Sequence, residues 1–228
     1  MIPNQYVYLT GCLILFAIWL LIFWRRKDLR REMLWASCLG LPFGIVDYFL
    51  VPEYWHPDSL FGLMKVYGAG LESFFFLFVM AGIASVAYQS LHKRRSLRRI
   101  SGEKKRGRHL GLLLLVALVY VLASVLSPAK SVYYLMMGGG LGALATSYYR
   151  PDLRKQMFAS AFLFSLVYFA VFVFLNLIFK GWVQEFYNLN NTWGILILGV
   201  PLEEIGVAFF AGSFWSTLYE YTKSYRDG

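Results

Sequence analysis

The run Pro201-Leu202-Glu203-Glu204 places two adjacent carboxyls between the apolar stretches 193–200 and 205–215, neither of which carries a charge. A carboxylate in such a setting costs about 2.5–3.5 kcal/mol to insert into a bilayer. In apolar surroundings a carboxyl, and more so one of a pair, keeps its proton at neutral pH and can donate it. Its neighbour can then stabilise the positive charge left on the acceptor. That is acid–base chemistry suited to a greasy molecule dissolved in the membrane. Two further carboxyls stand in comparable settings, Glu72 in Gly70-Leu71-Glu72-Ser73 and Asp47 in Gly44-Ile45-Val46-Asp47-Tyr48-Phe49. The plainer reading is a protonated carboxyl bonding helix to helix. For Glu204 alone the two readings stand level; for Glu72 and Glu203 a matched depth favours function.

The elements that must position these acids are membrane helices. The 228 residues are 58% hydrophobic and 19% aromatic, against roughly 45–50% apolar in soluble domains. Apolar runs long enough to cross about 30 Å of hydrocarbon recur along the chain. Seven spans are expected, near 5–24, 33–51, 62–90, 110–127, 131–149, 157–179 and 194–220. The first lacks a basic leader and is followed by Arg25-Arg26-Lys27, which reads as a retained span. All lysines and arginines except Lys65, Lys130 and Lys180 fall in 25–31, 93–108, 150–155 and 223–226. The positive-inside rule then puts the amino terminus outside and the carboxyl terminus in the cytoplasm of a cell-membrane protein. The net charge of +9 follows from that topology and from anionic lipid at the inner leaflet, and nucleic acid is not an expected partner.

Internal similarity organises the spans. Asp28-Leu29-Arg30-Arg31-Glu32-Met33 returns as Asp152-Leu153-Arg154-Lys155-Gln156-Met157, and Trp55 corresponds loosely to Trp182. The stretch from Gly62 to Gln89 resembles that from Gly194 to Glu220, with Glu72 on Glu203 and Ser73 on Glu204. The expected fold is therefore all-α and membrane-integral: two parallel three-helix repeats, 1–91 and 131–228, joined by a basic loop and linking helix over 92–130. An odd number of connecting spans is what two repeats of the same polarity require. Counted from Trp193, Glu203 lies roughly 15 Å into its helix, and Glu72 is comparably deep from Gly62. Both are expected to face one central cavity, with Pro201 loosening the helix beside them. Glu203 and Glu204 point about 100° apart, so they cannot share one direction.

Other glutamate-based or seven-span chemistries fit poorly. An intramembrane protease of the EExxxR kind needs arginine where Ala208 stands, and His56, His92 and His109 fall in or beside loops. A retinal protein needs a lysine deep in the last span, yet the first there is Lys223. Asp-rich motifs for magnesium and diphosphate are absent. The glycines at 138–142 lack a preceding strand, so Gly138 and Gly142 read as a helix-packing GxxxG. Cys12 and Cys38 lie within spans and imply no disulfide framework.

The residues YNLNNTWGILILGVPLEE near the carboxyl end, with VPEYWHP and GAGLESFFF in the first half, carry a resemblance. The chain resembles the lycopene cyclase domain family of integral membrane proteins, in the form with two copies fused in tandem. The resemblance covers nearly the whole length. It implies a reaction without net redox, cofactor or metal: protonation of the ψ end of a linear carotenoid, closure of a six-membered ring, and proton loss to a β-ring. By resemblance Glu203 and Glu204 take the motif acid positions and Glu72 the matching position in the first copy. Asp47 fills the polar position near the end of the second span, with Asn176 as its counterpart. The first copy departs from the motif, lacking the proline and the second acid.

On this reading Glu203 or Glu204 donates the proton, while Glu72 and Asp47 stabilise charge or position the substrate. Phe75 and Phe76 beside Glu72, Phe210 below Glu203, and Trp55 and Trp182 are candidates for shielding a carbocation, because aromatic faces attract cations. Trp55, Trp182, Tyr187 and Trp193 equally suit an interfacial belt. Asn188, Asn190 and Asn191 read as loop and helix-start residues. The expected partners are a carotenoid or other isoprenoid, membrane lipid and a second copy of the chain. A carotenoid hydratase and a non-catalytic isoprenoid-binding protein are the alternatives.

Overall fold

The computed structural model describes residues 3–91, 97–99, 117–223 and 225–227. Most of the basic loop expected over 92–130, with His92 and His109, therefore lies outside the described residues. The helices are α1 (Val7–Arg25), α2 (Arg30–Gly40), α3 (Asp47–Leu50), α4 (Leu63–Tyr67), α5 (Leu71–Ser90), α6 (Ala117–Leu126), α7 (Ser131–Tyr149), α8 (Arg154–Ile178), α9 (Trp182–Phe186) and α10 (Leu202–Lys223). A 3-10 segment, Leu41–Val46, joins α2 to α3 without a chain reversal. The class is all-α, with strand pairing confined to short ribbons.

Four continuous segments among the described residues are long and apolar enough to span a membrane: Asn4–Arg25, Arg30–Leu50, Leu71–Ser90 and Pro151–Ile178. The seven expected spans are not all of that kind. Helices α7 and α10 have comparable lengths, 19 and 22 residues, but are diluted by glycine, serine and tyrosine, and α10 carries three glutamates. The third and seventh expected spans also begin later than their apolar runs. Gly68 at φ +71° ends α4, and α5 starts only at Leu71. Gly194 and Gly199, at φ +70° and +79°, turn 194–201 into a hairpin pairing Leu196–Ile197 with Val200–Pro201, and α10 starts at Leu202. Side chains with a Cβ rarely adopt such φ values, so these glycines stop a helix that hydropathy alone would continue. Glu72 and Glu203 consequently lie in the first turns of α5 and α10 rather than at mid-helix. Pro201 precedes its helix and loosens nothing.

The bundle is held by close helix approaches. α5 packs on α1 and α2, α10 packs on α7 and α8, and α5 and α10 meet each other. A Cβ on Gly40 would sit 2.7 Å from the Leu77 carbonyl oxygen of α5, and one on Gly212 would sit 2.8 Å from Ala161 Cα of α8. Near the carboxyl ends of α1 and α7 the two halves use the same contacts. Arg26 Nε donates to Asp28 and Arg30 Nε to the Phe23 carbonyl at 2.7 Å; Arg150 Nε donates to Asp152 and Arg154 Nε to the Ser147 carbonyl at 3.0 Å. The arginines thereby satisfy backbone carbonyls that helix ends leave open.

At the opposite end of the bundle the two long loops are joined by main-chain bonds. Trp55 and Tyr187 form an antiparallel bridge, His56 N donates to the Phe186 carbonyl at 2.8 Å, and Asn188 N donates to the Tyr54 carbonyl at 2.9 Å. This two-bond junction sets Tyr54, Trp55 and Tyr187 side by side over the helix ends. Replacing Gly212 by leucine drives a side chain into the α8 backbone, and overpacking of this kind costs about 1–3 kcal/mol or more. The Gly212→Leu protein should unfold at a lower temperature in detergent than the wild type, as read by a thermal scan.

Candidate active site: an apolar chamber with two carboxyls

A cavity of about 650 Å³ runs between the two halves of the chain. Its walls come from α1, α2, the 41–50 segment, α5, α6, α7, α8 and α10. Along α10 the lining extends from Glu204 to Thr222, a rise of roughly 27 Å. Among the lining residues only Asp47 and Glu204 bear charge-capable carboxyls, and both sit near the joined loops. The remaining wall is aliphatic, aromatic and glycine, with Cys12 and Thr222 as small polar exceptions. Such a volume with few convergent polar groups is the usual form of a small-molecule site.

Glu204 is 7% exposed and is held by three tyrosines from three elements. Tyr54 and Tyr187 donate to Oε1 at 2.8 and 3.1 Å, and Tyr168 of α8 donates to Oε2 at 2.6 Å. The loop junction delivers the first two, and Phe172 and Trp182 pack against Tyr187 at ring separations of 6.2 and 5.8 Å. Asp47, 6% exposed at the start of α3, accepts one bond from the Tyr8 hydroxyl of α1 at 2.9 Å. Ser73 and Trp55 flank the same carboxyl, and Asp47 and Glu204 are close enough to interact electrostatically.

Glu72 and Glu203 do something else. They are buried, 3% and 0% exposed, but neither lines the cavity. Glu203 accepts from the Trp193 amide at 2.6 Å and from the Tyr133 hydroxyl at 3.0 Å. Glu72 accepts from the Leu60 amide. Each glutamate ties the loop that precedes its helix back to the first turn, where the helix dipole favours a negative charge. The expectation that Glu72 and Glu203 share one cavity is thus corrected. Adjacent first-turn positions point about 100° apart, and the positions one residue later, Ser73 and Glu204, turn towards Asp47 and the chamber instead.

The other candidates divide similarly. Trp55, Phe76, Trp182 and Phe210 line the cavity, with Phe76 6.1 Å from Tyr8 and 6.2 Å from Tyr168, centroid to centroid. Phe75 lies off the lining and packs on Phe16 at 5.2 Å. Asn176 is off it too; its side-chain amide donates to the Leu198 carbonyl at 3.1 Å and accepts from Trp182 Nε1 at 2.7 Å, pinning the 194–201 hairpin to α8. Trp182 and Tyr187 are buried, not interfacial, while Trp193 is exposed. Sequence reasoning missed Tyr8, Tyr54 and Tyr168 and misread Tyr187. The available signal was their position: Tyr54 and Tyr187 sit inside the loop stretches VPEYWHP and YNLNN, and Tyr8 and Tyr168 interrupt apolar spans with a polar tip that needs a partner.

Removing the Glu72 or Glu203 carboxyl takes the acceptor from a partly buried amide, and a hydrogen bond of this kind contributes about 0.5–1.5 kcal/mol. Glu72→Ala and Glu203→Ala should therefore each lower the unfolding temperature. Thermal scans of the two variants and the wild type in one detergent check the shift.

The sequence model of the lycopene cyclase family matches the chain in two segments, residues 5–91 and 129–222, as expected of a tandem form. Neither the curated proteins nor the solved structures give a match. The matched segments contain every cavity carboxyl and cradle tyrosine described above, and together they cover most of the chain. The chain belongs to the lycopene cyclase family.

Proposed function

We propose that this protein cyclises the ψ end groups of a linear carotenoid to β-rings inside the membrane, by acid–base catalysis at Asp47 and Glu204. The observation that carries this reading is the composition of the chamber: a long apolar wall with its two carboxyls gathered at one end. A polyene fits the wall, and one end group then meets both acids. Proton transfer to an alkene needs an acid beside the terminal double bond, and the cation that results needs a negative or π-rich neighbour. Glu204, Phe76 and Trp55 supply such neighbours. Ring closure conserves atoms and electrons, so the reaction is an isomerisation.

The topology we propose has seven spans, with α6, α7 and α10 completing the set, in two parallel three-helix repeats, 1–91 and 131–228, around the linking segment 92–130. The repeated Arg26–Asp28 and Arg150–Asp152 pairs support the repeat. The basic segments favour a cytoplasmic carboxyl terminus, which places the joined loops and the acid end of the chamber near the outer face. Lipid surrounds the bundle, the substrate enters from the bilayer, and a homo-oligomer is compatible with the exposed apolar helix faces.

Expression in a lycopene-accumulating host tests the function. A new β-ring product is the expected outcome, and Glu204→Gln or Asp47→Asn should reduce it by about 10²–10⁴-fold, the range for loss of a positioned acid or base. Bound but unchanged carotenoid from the wild type would replace the enzyme by a carrier.

A further inference from the structure

Two carboxyls line the chamber, and their hydrogen bonding differs. Glu204 accepts three hydroxyl protons, from Tyr54, Tyr168 and Tyr187. For each of these tyrosines the bond to Glu204 is the one side-chain hydrogen bond its hydroxyl makes among the described residues. A carboxylate can accept all three, whereas a neutral carboxylic acid has to donate through one oxygen. Were Glu204 neutral, its own O–H would meet three donors, and either that proton or the proton of a tyrosine turned round to accept it would be left facing an apolar wall. A buried donor without a partner costs about 1–3 kcal/mol. Three charge-assisted bonds also offset the cost of burying the negative charge. Asp47 accepts from one tyrosine, Tyr8 on Oδ2, with the Ser73 hydroxyl and the Trp55 indole beside it, against three tyrosines on Glu204. Two negative charges in one apolar chamber repel, so with Glu204 ionised the proton belongs on Asp47.

We propose that Tyr54, Tyr168 and Tyr187 hold Glu204 as a carboxylate, so that Glu204 pairs with the carbocation and takes the departing proton, while Asp47 supplies the incoming one. This assignment rests on the cyclase reading and reverses the roles expected from the PLEE motif. In the first step the Asp47 O–H bond breaks and a C–H bond forms at the less substituted carbon of the terminal alkene. The positive charge falls on the dimethyl carbon. The electron pair of the neighbouring trisubstituted alkene then forms the ring C–C bond and moves the charge to the methyl-bearing ring carbon. Glu204 removes a proton from the adjacent ring carbon, and that C–H pair becomes the ring double bond. The proton passes back from Glu204 to Asp47, and the cycle closes with no oxidant or reductant. The tyrosines touch no reacting atom; they are positioning residues that act through Glu204.

The charge states can be read without turnover. Infrared difference spectra of the purified full-length protein, wild type minus Glu204→Gln, should contain the antisymmetric stretch of a carboxylate. Wild type minus Asp47→Asn should contain the carbonyl stretch of a carboxylic acid. In a Tyr54→Phe/Tyr168→Phe background the Glu204 band should move to the acid carbonyl, a change that a merely structural role for the tyrosines would not produce. A carboxylic-acid band for Glu204 in the wild type, or a carboxylate band for Asp47, overturns the proposal. The second arm uses lycopene in D2O. Glu204→Gln should place deuterium on the less substituted carbon of the terminal alkene of uncyclised lycopene, because Asp47 still protonates that carbon reversibly, whereas Asp47→Asn should place none. The opposite pattern overturns the assignment. A wild type that forms no ring yet shows both bands counts against the cyclase reading of the chamber and not against the ionised Glu204.

Discussion

The carboxyl of Glu204 is the point on which the chamber is organised, because a buried polar group in an apolar wall must be met by hydrogen-bond partners wherever they can be found. Here they come from three places far apart in sequence: Tyr54 before the end of one loop, Tyr168 in the middle of α8, and Tyr187 after α9. Meeting Glu204 fixes the relative position of both halves of the chain. The antiparallel contact between Trp55 and Tyr187 is the backbone counterpart of the same constraint. Loop amides and carbonyls shielded from water need partners, and pairing the two loops satisfies several of them.

The two glutamates that do not reach the chamber follow from a different requirement. A helix that begins inside an apolar layer leaves its first amides, and the loop before it, without partners. Glu72 and Glu203 close that gap by accepting from Leu60 and Trp193, one helical position before the residues that face the cavity. Repetition of an acid at matched positions thus has a structural origin here. The asymmetry lies one residue later: Ser73 in the first half contributes a small hydroxyl beside Asp47, and Glu204 in the second contributes a carboxyl. One chamber with two unlike carboxyls results, not two equivalent sites.

The joined loops also account for the shape of the cavity. They close the end where the acids sit, with Trp55 and Trp182 as part of the lid, while the rest of the wall follows the helices for most of their length. Under the proposed function a polyene in such a space would be ordered by apolar contact along its chain, with chemistry confined to one terminus. In the cyclisation we propose, water near the carbocation would divert the reaction to an alcohol, so the aromatic covering of the acid end would matter for the product as well as for binding.

The sequence by itself determined the class and much of the chemistry. Composition demanded membrane helices, the DLRR repeat marked equivalent helix ends, and the isolated carboxyls of PLEE and GIVDYF announced that charge was being buried for a purpose. Those signals are local, and burial of charge is costly enough to be visible in one dimension. What the sequence could not decide was direction. Glu203 and Glu204 are neighbours with the same side chain, and only the start of α10 at Leu202, set by Gly194, Gly199 and the hairpin between them, turns the second into the chamber and the first onto the Trp193 amide. Tyr54, Tyr168 and Tyr187 were equally hidden, since a tyrosine in an aromatic-rich chain is ordinary until the fold brings three hydroxyls to one carboxyl. Hydropathy is a property of a segment, but hydrogen bonds between residues more than a hundred positions apart exist only once the loops have paired.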